Sequence, residues 1–135
     1  LLMYAKFKVY PEHEQAHAWL DAVLNGPSSV GIAWASLLAF ARLSSNSKVI
    51  TKPLKPTEAW RQVNAWLALP PVWTPTPGDR HGGIAATLIH DRLQPNDVMD
   101  IHLAALAIEH GLELQTADKG FAKFKGLRWR NPLEP

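Results

Sequence analysis

Apolar residues recur along this chain first at helical spacing and then in short runs, and the two kinds of segment alternate. Leu1 to Tyr4 is an apolar stub that reads as a strand or the exit from one. Between Pro11 and Leu24 the residues Ala16, Trp19, Leu20, Val23 and Leu24 mark one helical face, and Gly26-Pro27 stops it. Val30 to Ala33 predicts a short buried strand. Trp34 to Leu43 is almost wholly apolar and predicts a buried helix. Pro56 stands at a first helical position, followed by a stripe of Ala59, Trp60, Val63, Trp66 and Leu67. Pro70 to Pro77 leaves room only for a short edge strand, because proline donates no ladder hydrogen bond. Asp79 is positioned to cap a fourth helix that turns Ile84, Ala85, Leu88 and Ile89 inward. A further helix from about residue 97 ends at Gly111, a strand follows at Leu112 to Gln115, and a last strand lies near Leu127 to Trp129. Alternating helices and short strands predict an α/β fold with a short, mostly parallel sheet and helices on both faces.

Asp100 and Asp118 bracket the most informative part of this pattern. About eleven helical residues after Asp100 rise roughly 16 Å at ~1.5 Å each. About six strand residues before Asp118 return roughly 20 Å at ~3.3 Å each. The start of the helix and the end of the strand therefore share one edge of the sheet, where α/β folds build their sites. Two carboxylates at that edge suggest a divalent metal site. A purely structural alternative exists for each. Asp97-Val98-Met99-Asp100 has the form of a capping box, with Asp97 as N-cap, and Asp118 before Lys119-Gly120 can hydrogen-bond its own turn.

Other candidates change the picture less. His13 and His17 have the i, i+4 spacing of metal ligands, but no third ligand completes them, so a solvated surface pair is expected. His102 is near enough to Asp100 to tune it, although an exposed helix position is its default reading. The tryptophans at 19, 34, 60 and 66 fall on apolar helix faces and are expected in the core. Lys119, Lys123, Lys125, Arg128 and Arg130 follow Asp118 and would flank a site there, where they could hold a phosphate backbone. Glycine-rich phosphate loops, Gly-x-Ser-x-Gly and cysteine nucleophiles are absent.

At 135 residues the chain fits one domain with a sizeable core, and a net charge of +2 permits a phosphate-bearing partner without requiring one. The lack of cysteine excludes disulfides and zinc-thiolate sites and fits a reducing cytoplasm. The uncharged stretch Asn25 to Ala41, part of the longer uncharged run from Ala22, holds Pro27, Gly31 and three serines and makes a poor membrane span.

The order Asp-x-His-Leu-Ala-Ala-Leu-Ala-x-Glu-His-Gly from Asp100, then Thr116-Ala117-Asp118-Lys119-Gly120-Phe121-Ala122-Lys123-Phe124, then Gly126-Leu127-Arg128-Trp129, resembles a PIN domain. More narrowly, the chain resembles the VapC toxins of bacterial type II toxin–antitoxin pairs. Leu1 to Ala5, Trp34 to Arg42 and Lys52-Pro53-Leu54 extend the similarity over essentially all 135 residues. The resemblance implies a PIN-like three-layer sandwich and a Mg²⁺- or Mn²⁺-dependent endoribonuclease silenced by a VapB-like antitoxin, with a homodimer expected. Asp100 and Asp118 match two of the family's acidic metal positions, and Thr116 matches its hydroxyl residue two before the last aspartate. Asp97, Arg42 and His102 are supporting candidates. Two positions depart from the family. Its first acidic residue, in an Asp-x-Asn on the first strand, would fall ahead of Leu1, and its second-helix glutamate is replaced by Ala39. The expectation is thus a single PIN-like domain over residues 1–135 without that first strand. The alternative function is a catalytically inactive PIN module that binds antitoxin or RNA.

Overall fold

Leu2 to Tyr4 is helical, where the sequence reads as a strand or the exit from one. In the computed structural model, which describes residues 1–135, helix α1 spans Leu2–Lys6. The run Leu-Met-Tyr-Ala-Lys consists largely of good helix formers, and Ala5 is buried. The carbonyls near the end of so short a helix have no partners within it. His13 and His17 supply them from the next helix: the Nδ1 of His13 binds the Tyr4 carbonyl at 2.9 Å, and the Nδ1 of His17 binds that of Ala5 at 3.3 Å. The pair expected to be solvated is therefore a fastening for α1.

The chain forms two compact units, Leu1–Thr74 and Pro75–Pro135. In the first, α1 packs on α2 (His13–Leu24), and α3 (Trp34–Ser44) packs on α4 (Pro56–Leu67). Strands β1 (Val30–Gly31) and β2 (Val72–Trp73) pair in parallel, Val30 opposite Val72. Pro56 does open α4, and Glu58 accepts the Lys55 N–H at 3.2 Å. Leu37, Phe40, Ala59, Val63 and Trp66 are buried, and Phe40 meets Trp66 edge to face with centroids 4.7 Å apart.

The tryptophans do not all enter this core. Trp66 is buried and Trp19 is half-buried, but Trp34 and Trp60 are 41% and 39% exposed. Their rings stack on each other, 6.3 Å between centroids and 18° between planes. Leu38, one turn after Trp34, is also exposed, so α3 buries one stripe rather than its whole circumference. A run of apolar residues cannot say which of its faces finds a neighbour.

In the second unit α5 spans His81–Leu88, α6 Asp97–Glu109, β3 Leu114–Gln115 and β4 Trp129–Arg130, with a 3₁₀ turn at Lys119–Lys123. Strands β3 and β4 pair in parallel, Leu114 opposite Trp129. Each unit thus has its own two-stranded parallel ladder. Leu88, Ile101, Ala104, Phe121 and Phe124 form the core of this unit, and Ala104 to Ala107 are buried on every face of α6. Gly111 takes φ +66°, and the bonds Gly111 N–H to Ile108 and Leu112 N–H to Ala107 close α6 in a Schellman motif. Glycine is the residue that adopts this left-handed turn without strain.

Asp79 does not cap α5, whose N-cap is Arg80, and the helix stops before the exposed Ile89. The carboxylate of Glu109, from the far end of α6, instead ties down the segment that leads into α5. It accepts the N–H groups of Gly78 at 2.7 Å and Arg80 at 2.9 Å, while the Arg80 guanidinium returns a bond to the Glu109 carbonyl. These two N–H bonds hold the Glu109 carboxyl below the usual glutamate range.

Candidate active site

Asp100 lies in the first turn of α6 and Asp118 three residues beyond the end of β3, near enough for the Asp118 charge to act on Asp100. The backbone around Asp118 is fixed from three directions. The Thr116 N–H donates to the Arg130 carbonyl at the end of the β3–β4 ladder. The Thr116 hydroxyl accepts the Asp118 N–H at 3.1 Å. Asp118 Oδ1 accepts the Gly120 N–H at 2.8 Å and caps the 3₁₀ turn. A side chain at Gly120 would sit 2.9 Å from that same oxygen, so glycine is required for the close approach. The turn reading of Asp118 therefore holds, with one of its two oxygens serving the backbone. Thr116 orients Asp118 through its hydroxyl.

Asp100 is the electrostatically unfavourable member. Burial pushes its carboxyl above the usual aspartate range, the negative charges of Asp118 and Asp97 add to the rise, and Lys123 opposes it. A partly buried carboxylate raised by neighbouring like charges is a candidate for a functional site.

Asp97 differs from Asp100 although it stands only three residues earlier. It does not cap α6 with its side chain, since Asn96 is the N-cap and no side-chain bond closes the helix start. Its Oδ2 instead accepts the Gln94 N–H at 2.9 Å, and its Oδ1 receives Lys123 Nζ at 2.6 Å. The Lys123 bond, followed by the Gln94 bond, holds its carboxyl below the usual range. With both oxygens engaged, Asp97 shapes the local field rather than offering a free ligand.

The remaining candidates lie elsewhere. His102 is half-buried and turns toward His81 at the start of α5, Nδ1 to Nε2 at 3.2 Å with the rings edge to face. Burial, then the neighbouring imidazole, lowers its pKa. His81 Nδ1 is buried without a hydrogen-bond partner. Arg42 is exposed in the last turn of α3, in the first unit, where a cation complements the helix C-terminus. The Asp97–Lys123 pair has no signature in sequence spacing, because 26 residues separate its members.

No three histidine, aspartate or glutamate side chains gather closely enough to enclose a metal ion. Asp100 and Asp118 nonetheless fit a hard, hydrated cation such as Mg²⁺, which keeps several waters and takes one or two carboxylates together with substrate phosphate. They do not fit a cage built wholly from protein.

Known proteins share this arrangement of sequence. The family model for the PIN domain matches residues 5–127 and so spans both units. Ribonuclease VapC33 of Mycobacterium tuberculosis is 36% identical, across 98% of this chain and 94% of its own length. Ribonuclease VapC43 of the same organism is 37% identical across 99% and 92%, and Ribonuclease VapC37 is 38% identical across 98% and 92%. With residues 5–127 of its 135 matched by that model, the chain belongs to the PIN domain family.

Proposed function

We propose that this protein is a divalent-cation-dependent endoribonuclease, the toxin of a toxin–antitoxin pair, whose site is built on Asp100 and Asp118. The observation that carries this reading is the placement of Asp100, in the first turn of α6 and partly withdrawn from water, within reach of the negative charge of Asp118 at the head of the 3₁₀ turn. The ribonuclease names of relatives matching nearly the whole chain support the reaction class.

In this reading Asp100 and Asp118 hold Mg²⁺ or Mn²⁺. When bound, the cation supplies a water of lowered pKa and relieves charge on the phosphoryl oxygens. Asp118 is oriented by Thr116 and Gly120, so its free geometry is decided before substrate arrives. Asp100 contributes a carboxylate whose ionised form is favoured once positive charge sits beside it. Both units belong to a single functional domain.

The first unit supports protein partners. Trp34, Leu38 and Trp60 leave an apolar face in water, the kind of surface that marks an interface. A VapB-like antitoxin and a second copy of this chain are the proposed partners, and the cytoplasm is the proposed compartment. No helix is long and apolar enough to cross a membrane.

The test is cleavage of a labelled RNA with Mg²⁺. Cleavage is expected, and is expected to stop with EDTA and with Asp100→Asn. Cleavage that survives both changes rejects the metal site. A second reading, a PIN module that binds without cutting, is favoured by the grouping of two carboxylates rather than three. It predicts retained RNA or antitoxin binding with no product under any divalent cation.

A further inference from the structure

We infer that Lys123 is the residue that receives the substrate phosphate at this site, positioned for that task by Asp97. The assignment rests on the nuclease reading above and extends it to a residue that neither the family match nor the relatives' names assign.

Among the five basic residues that follow Asp118, Lys123 alone forms its ion pair with a carboxylate one helical turn from Asp100. Lys119 pairs with Glu134 at 2.9 Å, and Arg130 approaches Glu113 at 3.9 Å, both with well-exposed side chains. Arg128 donates to the Gly111 carbonyl at 2.7 Å and so serves the end of α6. Lys123 ends the same 3₁₀ turn that Asp118 begins, so one short segment places a candidate metal ligand and an ammonium group together.

The ammonium group is held in place but not consumed. Its bond to Asp97 Oδ1 is 2.6 Å, and Asp97 is itself fixed through Oδ2 by the Gln94 N–H. On another side it stands 5.8 Å from the ring centre of the buried Phe124. Lysine has three N–H donors, and its side chain keeps 35% exposure while that of Asp97 keeps 17%. The partner is the more enclosed member, and the open side of the pair is the cation's. Lysine's positive charge also reaches Asp100.

The chemistry gives this placement a use. The carboxylates of Asp100 and Asp118 would repel a phosphodiester anion. A fixed ammonium beside them offsets that repulsion and offers a point-charge contact to a non-bridging oxygen. Asp97 is then a positioning residue, and Lys123 the group that touches substrate.

Lys123→Met and Lys123→Arg in the full chain, compared with wild type and Asp100→Asn, test the assignment. Two quantities are measured: Mg²⁺-dependent cleavage of a fluorescent RNA oligonucleotide, and binding of Mn²⁺ alone by calorimetry. Lys123→Met is expected to lower kcat/KM about 10²- to 10³-fold while binding Mn²⁺ roughly two- to fivefold more tightly, because a positive charge leaves the carboxylates. Lys123→Arg is expected to keep cleavage within about tenfold of wild type, since it preserves charge and donors. A merely structural role for Lys123 predicts weaker Mn²⁺ binding together with weaker cleavage, and that parallel loss overturns the assignment. Unchanged cleavage by Lys123→Met, with Asp100→Asn inactive, also overturns it and leaves the nuclease reading standing. A wild-type protein inert toward RNA overturns both.

Discussion

The first unit leaves aromatic rings in water and puts its polar side chains to work closing backbone ends, whereas the second buries its aromatic rings and leaves like charges together. Trp34 and Trp60 stack at the surface of the first, while His13 and His17 tie down α1. In the second, Phe121 and Phe124 meet edge to face inside the core, 5.9 Å between centroids. There Asp100 faces Asp118 and Asp97 without an ion pair of its own. Both exposed indoles and crowded carboxylates are unfavourable for the chain alone. The difference teaches that each unit is incomplete in a different way, one toward an apolar surface and the other toward positive charge.

The contrast can be broken most forcefully in the first unit. Phe40→Ala removes a ring that is 2% exposed and is expected to lower stability by about 3–5 kcal/mol. Trp60→Ala, although it deletes a larger ring, should change stability by only about 0.5–1.5 kcal/mol, the value of an aromatic pair. It should nonetheless reduce self-association or antitoxin capture. Denaturant melts paired with light scattering check both, and equal losses of stability would show that the indole face is core.

Asp100→Asn addresses the second unit. Cleavage is expected to fall roughly 10²- to 10³-fold, matching the several kcal/mol that a metal-held transition state provides. Stability should stay level or rise, because the substitution removes a partly buried charge repelled by two others. A thermal melt showing marked destabilisation would mean that Asp100 is a structural carboxylate like Asp97.

Gly78→Ala tests the satisfied carboxylate of the same unit. Its new Cβ would stand 2.9 Å from Glu109 Oε2 and displace the carboxylate that holds the segment ahead of α5. The expected loss is about 1 kcal/mol, the net value of a hydrogen bond, read from urea unfolding. Little loss would indicate that Glu109 moves aside freely.

The smallest effect is a pH dependence. The Glu109 carboxyl is held low in the folded protein, chiefly by the Gly78 N–H and also by that of Arg80. Its stabilisation is therefore present above the ordinary glutamate range and is lost as the pH falls through the depressed folded value. The gap in melting temperature between wild type and Glu109→Gln should be open at neutral pH and should close in acid. A gap that persists in acid would assign the effect to packing rather than charge.

Local chemistry was legible in the residues themselves. Gly26-Pro27, Pro56 and Gly111 marked helix limits because each restricts or frees φ in a way that does not depend on distant contacts. The match of helix length to strand length led the sequence to pair Asp100 with Asp118, since rise per residue is a property of the chain alone, although the strand itself spans only Leu114–Gln115. Tertiary structure decided everything that rests on a partner far along the chain. It turned Trp34 and Trp60 outward, made His13 and His17 into clasps, tied the segment ahead of α5 to Glu109, and joined Lys123 to Asp97. An apolar or charged side chain announces that it needs a neighbour, but only the folded backbone determines which neighbour comes within reach.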